Sequence, residues 1–330
     1  MKHLPEGDLE LALARHAVDR DYLSRSHPEL FDELWADPKT RVLAMHNGLV
    51  LLKESPEGVL PALRLLEVDQ VPSAQLRVYL GKSTASEPDE QVGTPVVLAV
   101  LGDNSAMQLE PDVEAWHSLR KTGAGLGERD AGLFTQALAI ANWHETHQYC
   151  SRCGTPTVIE QGGWVRRCFK DGSESYPRTD PAVIVAILDE KDRILLGSQG
   201  VWEDNRWSIL AGFVEPGESL NAAVVREMFE ESGLTVEHPQ FLGSQAWPFP
   251  YSLMLGFAAR VSPESSELVA DGIEIEKLRW FSREELRAEA ANLLLPNRIS
   301  IARAIIERWF GEEIVSGTEL ALKHENRGKP

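Results

Sequence analysis

The order of apolar and polar side chains divides the chain into a strand-rich first part, a short cysteine-bearing middle and a last part where strands and helices alternate. Residues 41–53 read as two apolar strands joined at Asn47-Gly48, the dipeptide best suited to a two-residue hairpin turn. Residues 75–80 and 95–101 are further strands. Between them residues 82–91 are polar, with little to bury, and are expected to form a mobile loop. From 129 to 148, Leu133, Phe134, Ala137, Leu138, Ile140, Ala141 and Trp143 recur at helical spacing, which predicts a helix that connects two domains and runs into the cysteines. Beyond the cysteines, 182–188 and 193–197 predict a hairpin, 207–210 a short strand, and 219–232 a helix ended by Gly233. Residues 253–260 and 277–281 continue the sheet, 283–290 and 299–310 are helices, and the polar end of the chain is expected to fray. No internal repeat is visible. The pattern is α/β (α+β).

Composition narrows the class. With 43% hydrophobic and 25% charged residues among 330, the chain falls in the ordinary globular range, which excludes disorder and collagen. The 33 Lys and Arg against 51 Asp and Glu leave a net charge of −18, a field that repels duplex DNA and anionic membrane surfaces. No apolar run approaches the roughly 20 residues of a membrane span and the first residues lack a signal-peptide layout, so the cytoplasm is the expected compartment. Cys150, Cys153 and Cys168 are too clustered for a disulfide framework and read as a metal knuckle.

The chemistry concentrates between Gly212 and Leu234. Gly212, Glu218, Arg226, Glu227, Glu230, Glu231 and Gly233, with Met228 and Leu234 aliphatic, complete the pattern G-x5-E-x7-R-E-U-x-E-E-x-G-U. A chance match to its seven fixed letters in a chain of this length has odds on the order of 10⁻⁶. Glu227, Glu230 and Glu231 share one helical face and repel one another unless a cation neutralises them. An oxygen-only cluster suits Mg²⁺ or Mn²⁺ better than Zn²⁺. Leu220, Val224 and Met228 are expected on the buried face, and Arg226 is expected to hold carboxylates in place, Glu218 among them. A metal held there can offset phosphate charge and acidify a water that a carboxylate aligns or deprotonates.

The pattern is the Nudix box, and Ser244-Gln245-Ala246-Trp247-Pro248-Phe249-Pro250-Tyr251-Ser252 closely resembles the S-Q-P-W-P-F-P-x-S signature of NudC-type NADH pyrophosphatases and NAD-capped RNA hydrolases, with Ala246 in place of Pro. Two aromatic rings on a loop stiffened by Pro248 and Pro250 would make a slot for a flat heterocycle, with Gln245 and Ser252 as polar fixers. The resemblance extends over residues 133–310. It implies a Nudix fold, a mixed sheet between helices, preceded by a zinc-ribbon-like knuckle and an N-terminal mixed α/β, Nudix-like domain. The implied boundaries are 1–128, 129–178 and 179–312, with a polar tail at 313–330. Carried over residue by residue, the resemblance implies substrate contacts at Tyr176, Phe213, Gln245, Ala246, Trp247, Pro248, Phe249, Pro250, Tyr251, Ser252 and Ala302. It implies a Mg²⁺ or Mn²⁺ site of Ala211 through its carbonyl, Glu227, Glu231 and Glu274, with Glu230 a further metal candidate, Glu230 or Glu274 the candidate base, and Glu227, Glu230, Glu231 and Arg226 the catalytic set. The implied reaction is cleavage of NADH or NAD⁺ to nicotinamide mononucleotide and AMP, with NAD-capped RNA as a second target and a homodimer as the working state.

One departure concerns the knuckle, where Cys150, Cys153 and Cys168 are followed by Asp171 instead of a fourth Cys. Zinc held by three Cys and Asp171, zinc with another fourth ligand such as His144 or His147, and a metal-free knuckle all stand as readings. Arg166, Arg167, Lys170 and Arg178 are either a solvated basic face or a site for the phosphates of an RNA chain. Two rivals to the NADH reading remain: another Nudix specificity, for ADP-ribose or diadenosine polyphosphates, and a nucleotide-binding sensor without turnover.

Overall fold

The computed structural model describes residues 9–53, 60–86 and 90–320. Among the described residues, contacts group those of 13–179 with 246–251 in one unit, and 9–12, 180–245 and 252–320 in another.

In the first unit, six strands form a sheet in the order β1 (Val18–Asp19), β4 (Ala74–Ser83), β5 (Pro95–Leu101), β2 (Arg41–His46), β3 (Leu49–Leu51) and β6 (Trp116–Ser118). Asn47-Gly48 makes the predicted turn between β2 and β3, and β2 pairs in parallel with β5. Both of these central strands are apolar almost throughout because they are buried, Val42 to Met45 and Val96 to Ala99 being at most 1% exposed. Helix α1 (Leu30–Ala36) sets Leu30 and Leu34 against Tyr79 and Val97, while α2 (Asp103–Leu109) and the single turn α3 (Leu119–Thr122) follow β5 and β6. Helix α4 (Glu128–Thr146) is buried along most of its length, more than an amphipathic connector needs, and packs on β1 and β4. A three-stranded sheet, β7 (Thr157–Glu160), β8 (Val165–Cys168) and β9 (Glu174–Ser175), completes the unit, tied to β4 by a hydrogen bond from Trp164 Nε1 to the Tyr79 carbonyl at 2.7 Å.

The expectation of a polar, mobile loop at 82–91 is corrected in part. Lys82 and Ser83 end β4, and Glu90 is buried because it meets the buried Arg129, which also donates from Nε to Asp130 Oδ1 at 2.8 Å. Residues 87–89 lie outside the described residues. Asp130 Oδ2 in turn accepts the Leu63 N–H at 2.7 Å, so one charged cluster ties three segments distant in sequence.

The second unit holds a sheet in the order β13 (Val236–Trp247), β14 (Ser252–Val261), β10 (Asp180–Leu188), β11 (Ile194–Ser198) and β15 (Lys277–Phe281), with β12 (Leu210–Phe213) also paired to β10. Alternation along β10 decides the layers. Val183, Val185 and Ile187 pack with Ala223, Val224 and Met228 of α5 (Leu220–Ser232), whereas Ile184, Ala186 and Leu188 pack with Leu286 of α6 (Arg283–Glu289) and with Ile301, Ala302, Ile305 and Ile306 of α7 (Ile301–Phe310). A mixed sheet thus lies between helices on both faces, as expected. Two details differ from the sequence pattern. The strand expected at 207–210 is displaced to Leu210–Phe213, where four residues pair with β10, and Leu220 is 37% exposed at the start of α5, its place on the buried face taken by Ala223. The tail is also more ordered than its polarity suggests: Ile314 and Ser316 are buried, and Arg303 of α7, 1% exposed, pairs with both Glu307 and Glu319. Residues 321–330 lie outside the described residues. Among the described residues, no helix is long and apolar enough to cross a membrane.

Breaking a buried ion pair leaves a charge without compensation. Glu90→Ala is therefore expected to destabilise the fold by about 3 kcal/mol, read as a lower calorimetric unfolding temperature. An unchanged transition would show that the Glu90–Arg129 pair contributes nothing.

Candidate active site and metal centres

Helix α5 is capped at both ends by its own sequence. Ser219 Oγ accepts the Ala222 N–H at 3.2 Å, and Gly233 ends the helix in the left-handed region at φ 71°. With Ala223, Val224 and Met228 locked into the core, the rotation of the helix is set, and its three glutamates fall at three depths. Glu230 is exposed, Glu227 is half-buried, and Glu231 is 4% exposed. Their shared helical face is therefore not an evenly solvated row.

Arg226 binds nearly everything around it. Its Nε and Nη2 donate to the two Glu218 oxygens at 2.9 and 2.8 Å, Nη1 pairs with Glu227 and Glu230 at 2.8 and 2.9 Å, and Nη2 also donates to the Phe213 carbonyl at 3.0 Å. Glu218 Oε2 accepts the Glu215 N–H at 3.1 Å, which closes the loop between β12 and α5. The expected anchoring role of Arg226 toward Glu218 is what the geometry shows.

Glu231 has no such partner. Its Oε2 is buried without a hydrogen bond, and its carboxyl is pushed up to about 8, first by burial and then by the charges of Glu227, Glu274 and Asp271, against one stabilising hydrogen bond from the Ala211 backbone. Burial raises Glu227 as well, against the pull of Arg226 and with the push of Glu230 and Glu274. The Glu227 carboxylate lies so close to the backbone of β12 that a Cβ on Gly212 would fall 2.0 Å from its Cδ, so any side chain there would displace it. An unpartnered buried oxygen, mutually repelling carboxylates and oxygen-only donors fit a hard divalent cation of the Mg²⁺ or Mn²⁺ kind.

In the knuckle two turns repeat one geometry. Gly154 N–H donates to the Cys150 carbonyl and Cys150 N–H to the Thr155 carbonyl; Gly172 N–H donates to Cys168 and Cys168 N–H to Ser173, with both glycines near φ 70°. Asp171 stands in the second turn where Cys153 stands in the first. One ligand atom each from Cys150, Cys153, Cys168 and Asp171 lies within 4.8 Å of the others, with 3.5 Å between the sulfurs of Cys153 and Cys168 and 3.6 Å from Cys150 Sγ to Asp171 Oδ2. Zinc bonds of about 2.3 Å to sulfur and 2.0–2.2 Å to oxygen imply tetrahedral edges of roughly 3.5–3.8 Å, the range in which these two separations fall. Hydrogen bonds from Ser173, first from its hydroxyl, hold the Asp171 carboxylate far below its ordinary range, while burial pushes Cys168 up to about 11. Neither histidine considered as a fourth ligand joins the group. His144 Nε2 donates to the Gly163 carbonyl at 2.7 Å and Nδ1 accepts from Arg166 at 2.9 Å; burial, chiefly, lowers it to about 4 and keeps it neutral. His147 bonds Thr146. The basic cluster is largely consumed in the same way: Arg166 is buried against His144 and Thr157, Arg167 binds Glu160 and Glu174, and Arg178 lies over the Tyr251 ring.

The aromatic loop departs from the expected slot. Trp247 and Phe249 meet edge to face, centroids 5.0 Å apart at 74°, so no heterocycle fits between them. Arg120 instead lies 3.8 Å from the Phe249 centroid and 5.3 Å from that of Trp247. Asn142 Nδ2 donates to the carbonyls of Pro248 and Pro250, and Pro248 to Tyr251 line a cleft of about 1020 Å³ together with Arg120 and Asn142. Gln245 is 2% exposed: Nε2 donates to the Ile299 carbonyl at 2.8 Å and Oε1 has no partner. Ala246 and Ser252 are half-buried, and Phe213 and Tyr176 are exposed at 58% and 62%, the Tyr176 hydroxyl bound to Glu174. Ala302 is 2% exposed, its methyl part of the α7 core. Two residues went unnoticed in the sequence, Arg120 and Asp271. Only the Asp271-Gly272 turn signal, three residues before Glu274, pointed to either.

A mixed sheet between helices, with this box on the helix against it, defines a Nudix domain, and the family described as NUDIX domain matches residues 178–303. Residues 145–176 match the NADH pyrophosphatase zinc ribbon domain, and 39–143 the NADH pyrophosphatase-like rudimentary NUDIX domain. NAD-capped RNA hydrolase NudC of Mycobacterium tuberculosis is 43% identical over 211 residues, covering 61% of this chain and 67% of that protein. Human NAD-capped RNA hydrolase NUDT12 is 38% identical over 199 residues, covering 56% of this chain and 43% of that protein. A crystal structure of a NUDIX hydrolase from Nitrosomonas europaea has a TM-score of 0.40 at 23% identity, covering 50% of this chain and 94% of that one. The chain belongs to the NudC-type NADH pyrophosphatase family of Nudix hydrolases.

The elevated Glu231 fixes a sign. Between the ordinary glutamate value of about 4.3 and its own value of about 8, the folded protein holds a proton that the unfolded chain releases. Its contribution to metal-free stability is present below that window and lost as pH rises through it. A cation at Glu231 displaces the same proton, so stabilisation by Mn²⁺ is expected to grow from pH 6 to pH 8.5. In thermal unfolding, Glu231→Gln should flatten this pH dependence; a Mn²⁺ shift that is equal at both pH values, or kept by the variant, would remove Glu231 from the cation site.

Proposed function

We propose that the protein hydrolyses the diphosphate bond of NADH and NAD⁺ to nicotinamide mononucleotide and AMP in a divalent-metal-dependent reaction, and cleaves the same bond in RNA whose 5′ end carries NAD. The observation that carries the reading is Glu231, a buried carboxylate with an unpartnered oxygen among other acidic groups, inside a complete box of a family whose relatives carry the name NAD-capped RNA hydrolase. Glu227, Glu231 and Glu274, with the Ala211 carbonyl, would hold Mg²⁺ or Mn²⁺. When bound, the cation supplies positive charge against the diphosphate and acidifies water at the site. Arg226 acts by position, holding Glu218, Glu227 and Glu230. Glu230, at the solvent edge of the same helix, takes the proton of the attacking water as its oxygen joins one phosphorus and the bridging P–O bond breaks. In the unit of residues 13–179 and 246–251, Arg120 and Pro248 to Tyr251 would take a flat ring on the outer face of the Trp247–Phe249 pair, with Tyr176 an exposed ring able to do the same; in the other unit the candidate contacts are the exposed Phe213 ring and the unpartnered Oε1 of the buried Gln245. The buried Ala302 would then act only through the backbone at the start of α7. The homodimer implied by the family and a reducing compartment such as the cytoplasm, which suits three free cysteines, belong to the same reading.

Product chromatography with NADH, NAD⁺, ADP-ribose and diadenosine polyphosphates, with and without Mn²⁺, tests this directly. AMP and the mononucleotide should form only with metal, and Glu231→Gln should lower turnover at least about 100-fold while the fold is retained. Preferred cleavage of ADP-ribose or of a diadenosine polyphosphate would move the specificity elsewhere in the superfamily, and binding without cleavage would favour a sensor. Light scattering of the same sample should give twice the chain mass.

For the knuckle, the matched turns support zinc held by Cys150, Cys153, Cys168 and Asp171. Protein purified without chelator should carry one zinc per chain by elemental analysis. In chelator competition Asp171→Cys is expected to tighten, and Asp171→Ala to weaken, the site by at least about tenfold. Zinc content indifferent to both substitutions would exclude Asp171 as a ligand.

A further inference from the structure

Glu274 sits on an exposed turn with no helix to hold it, yet its charge acts on both Glu227 and Glu231. A side chain on such a turn contributes reproducibly only if the backbone beneath it is fixed. Two anchors do this. Ile275, the next residue, is 3% exposed and packs into the core cluster that also contains Ala223, Val224 and Met228 of α5. On the other side, the Asp271 carboxylate accepts three consecutive backbone N–H groups: Oδ1 from Ile273 at 3.2 Å and from Ile275 at 2.8 Å, and Oδ2 from Glu274 itself at 3.1 Å. Gly272 N–H closes the turn onto the Ile275 carbonyl at 3.0 Å, and Glu276 N–H joins it to the Ser198 carbonyl at the end of β11 at 2.9 Å.

We propose that Asp271 is a positioning residue of the active site: by capping the amides of residues 273–275 it sets the direction from which Glu274 meets Glu227 and Glu231. The proposal rests on the reading that Glu274 belongs to the cation set. Asp271 also repels Glu231, so its removal has two opposed effects. Relief of repulsion alone would lower the proton affinity of Glu231 and ease cation entry; loss of the turn would make entry harder. The second effect is the larger, because three amide hydrogen bonds to a charged acceptor hold the turn, whereas Asp271 is exposed and water screens its repulsion.

The test measures kcat, KM for NADH, and the Mn²⁺ concentration giving half-maximal activity in Asp271→Ala, Asp271→Asn, Glu274→Gln and the double variant Asp271→Ala/Glu274→Gln. Direct Mn²⁺ binding is followed in parallel by the electron paramagnetic resonance signal of the free ion. Asp271→Ala should raise the Mn²⁺ requirement and weaken Mn²⁺ binding about tenfold, with KM changed less than about twofold and the unfolding temperature nearly kept. Asp271→Asn, which retains one oxygen acceptor, should recover part of the loss, and the double variant should be no worse than Glu274→Gln. If Asp271→Ala leaves the Mn²⁺ requirement unchanged or improves it while Glu274→Gln impairs it, Asp271 does not position Glu274. If Asp271→Ala is as harmful with Gln at 274 as with Glu, it acts elsewhere. If Glu274→Gln itself changes nothing, Glu274 leaves the cation set and the positioning role falls with it.

Discussion

A carboxylate held out of water beside others of its own sign is the arrangement on which the C-terminal unit is built. Glu231 would move toward solvent or keep a proton if it were free to choose. It is denied the first because α5 is pinned along its length: capped by Ser219 and Gly233, locked to β10 by Ala223, Val224 and Met228, and tied to the preceding loop through Arg226 and Glu218. What remains to it is the proton, and the packing of an ordinary helix on an ordinary sheet holds the group where it keeps one. Glu230, one residue earlier, is turned by the helix to solvent and to Arg226.

The same economy governs the arginines of the N-terminal unit. In a chain of net charge −18 most cations are already committed: Arg129 to Glu90 and Asp130, Arg167 to Glu160 and Glu174, Arg166 to His144 and Thr157. Arg120 is spent differently, on the rings of Phe249 and Trp247 beside a large cleft. The knuckle shows how a single substitution can be absorbed. Its two turns have the same hydrogen bonds and the same glycine conformation, so an aspartate in the second delivers an oxygen to the position where the first delivers a sulfur, and Ser173 orients that carboxylate by binding its other oxygen.

The sequence by itself determined what depends on spacing. The cap residues of 219–233 are local, so the limits of α5 could be read directly, whereas residues 183–188 are apolar throughout and only their packing shows which of them faces which layer of helices. The box is a spacing rule, so its chemistry was legible from Gly212 to Leu234, as were the partnership of Arg226 with Glu218 and the clustering of the cysteines. What the chain does with residues far apart in sequence was decided only by tertiary structure. Glu90 looked like part of a solvated loop until Arg129 was buried beside it, and the polar tail looked free until Arg303 reached Glu319. Trp247 and Phe249 suggested parallel walls, but ring orientation depends on the surrounding packing, here Arg120 over both rings and Asn142 on the carbonyls of Pro248 and Pro250. Glu230 and Glu231 are neighbours of the same type, and nothing local distinguishes them. Their depths differ because burial is a property of the whole packed unit, and it is Ile275, packed into the same core as Ala223, Val224 and Met228, that ties the turn capped by Asp271 to the helix that carries them.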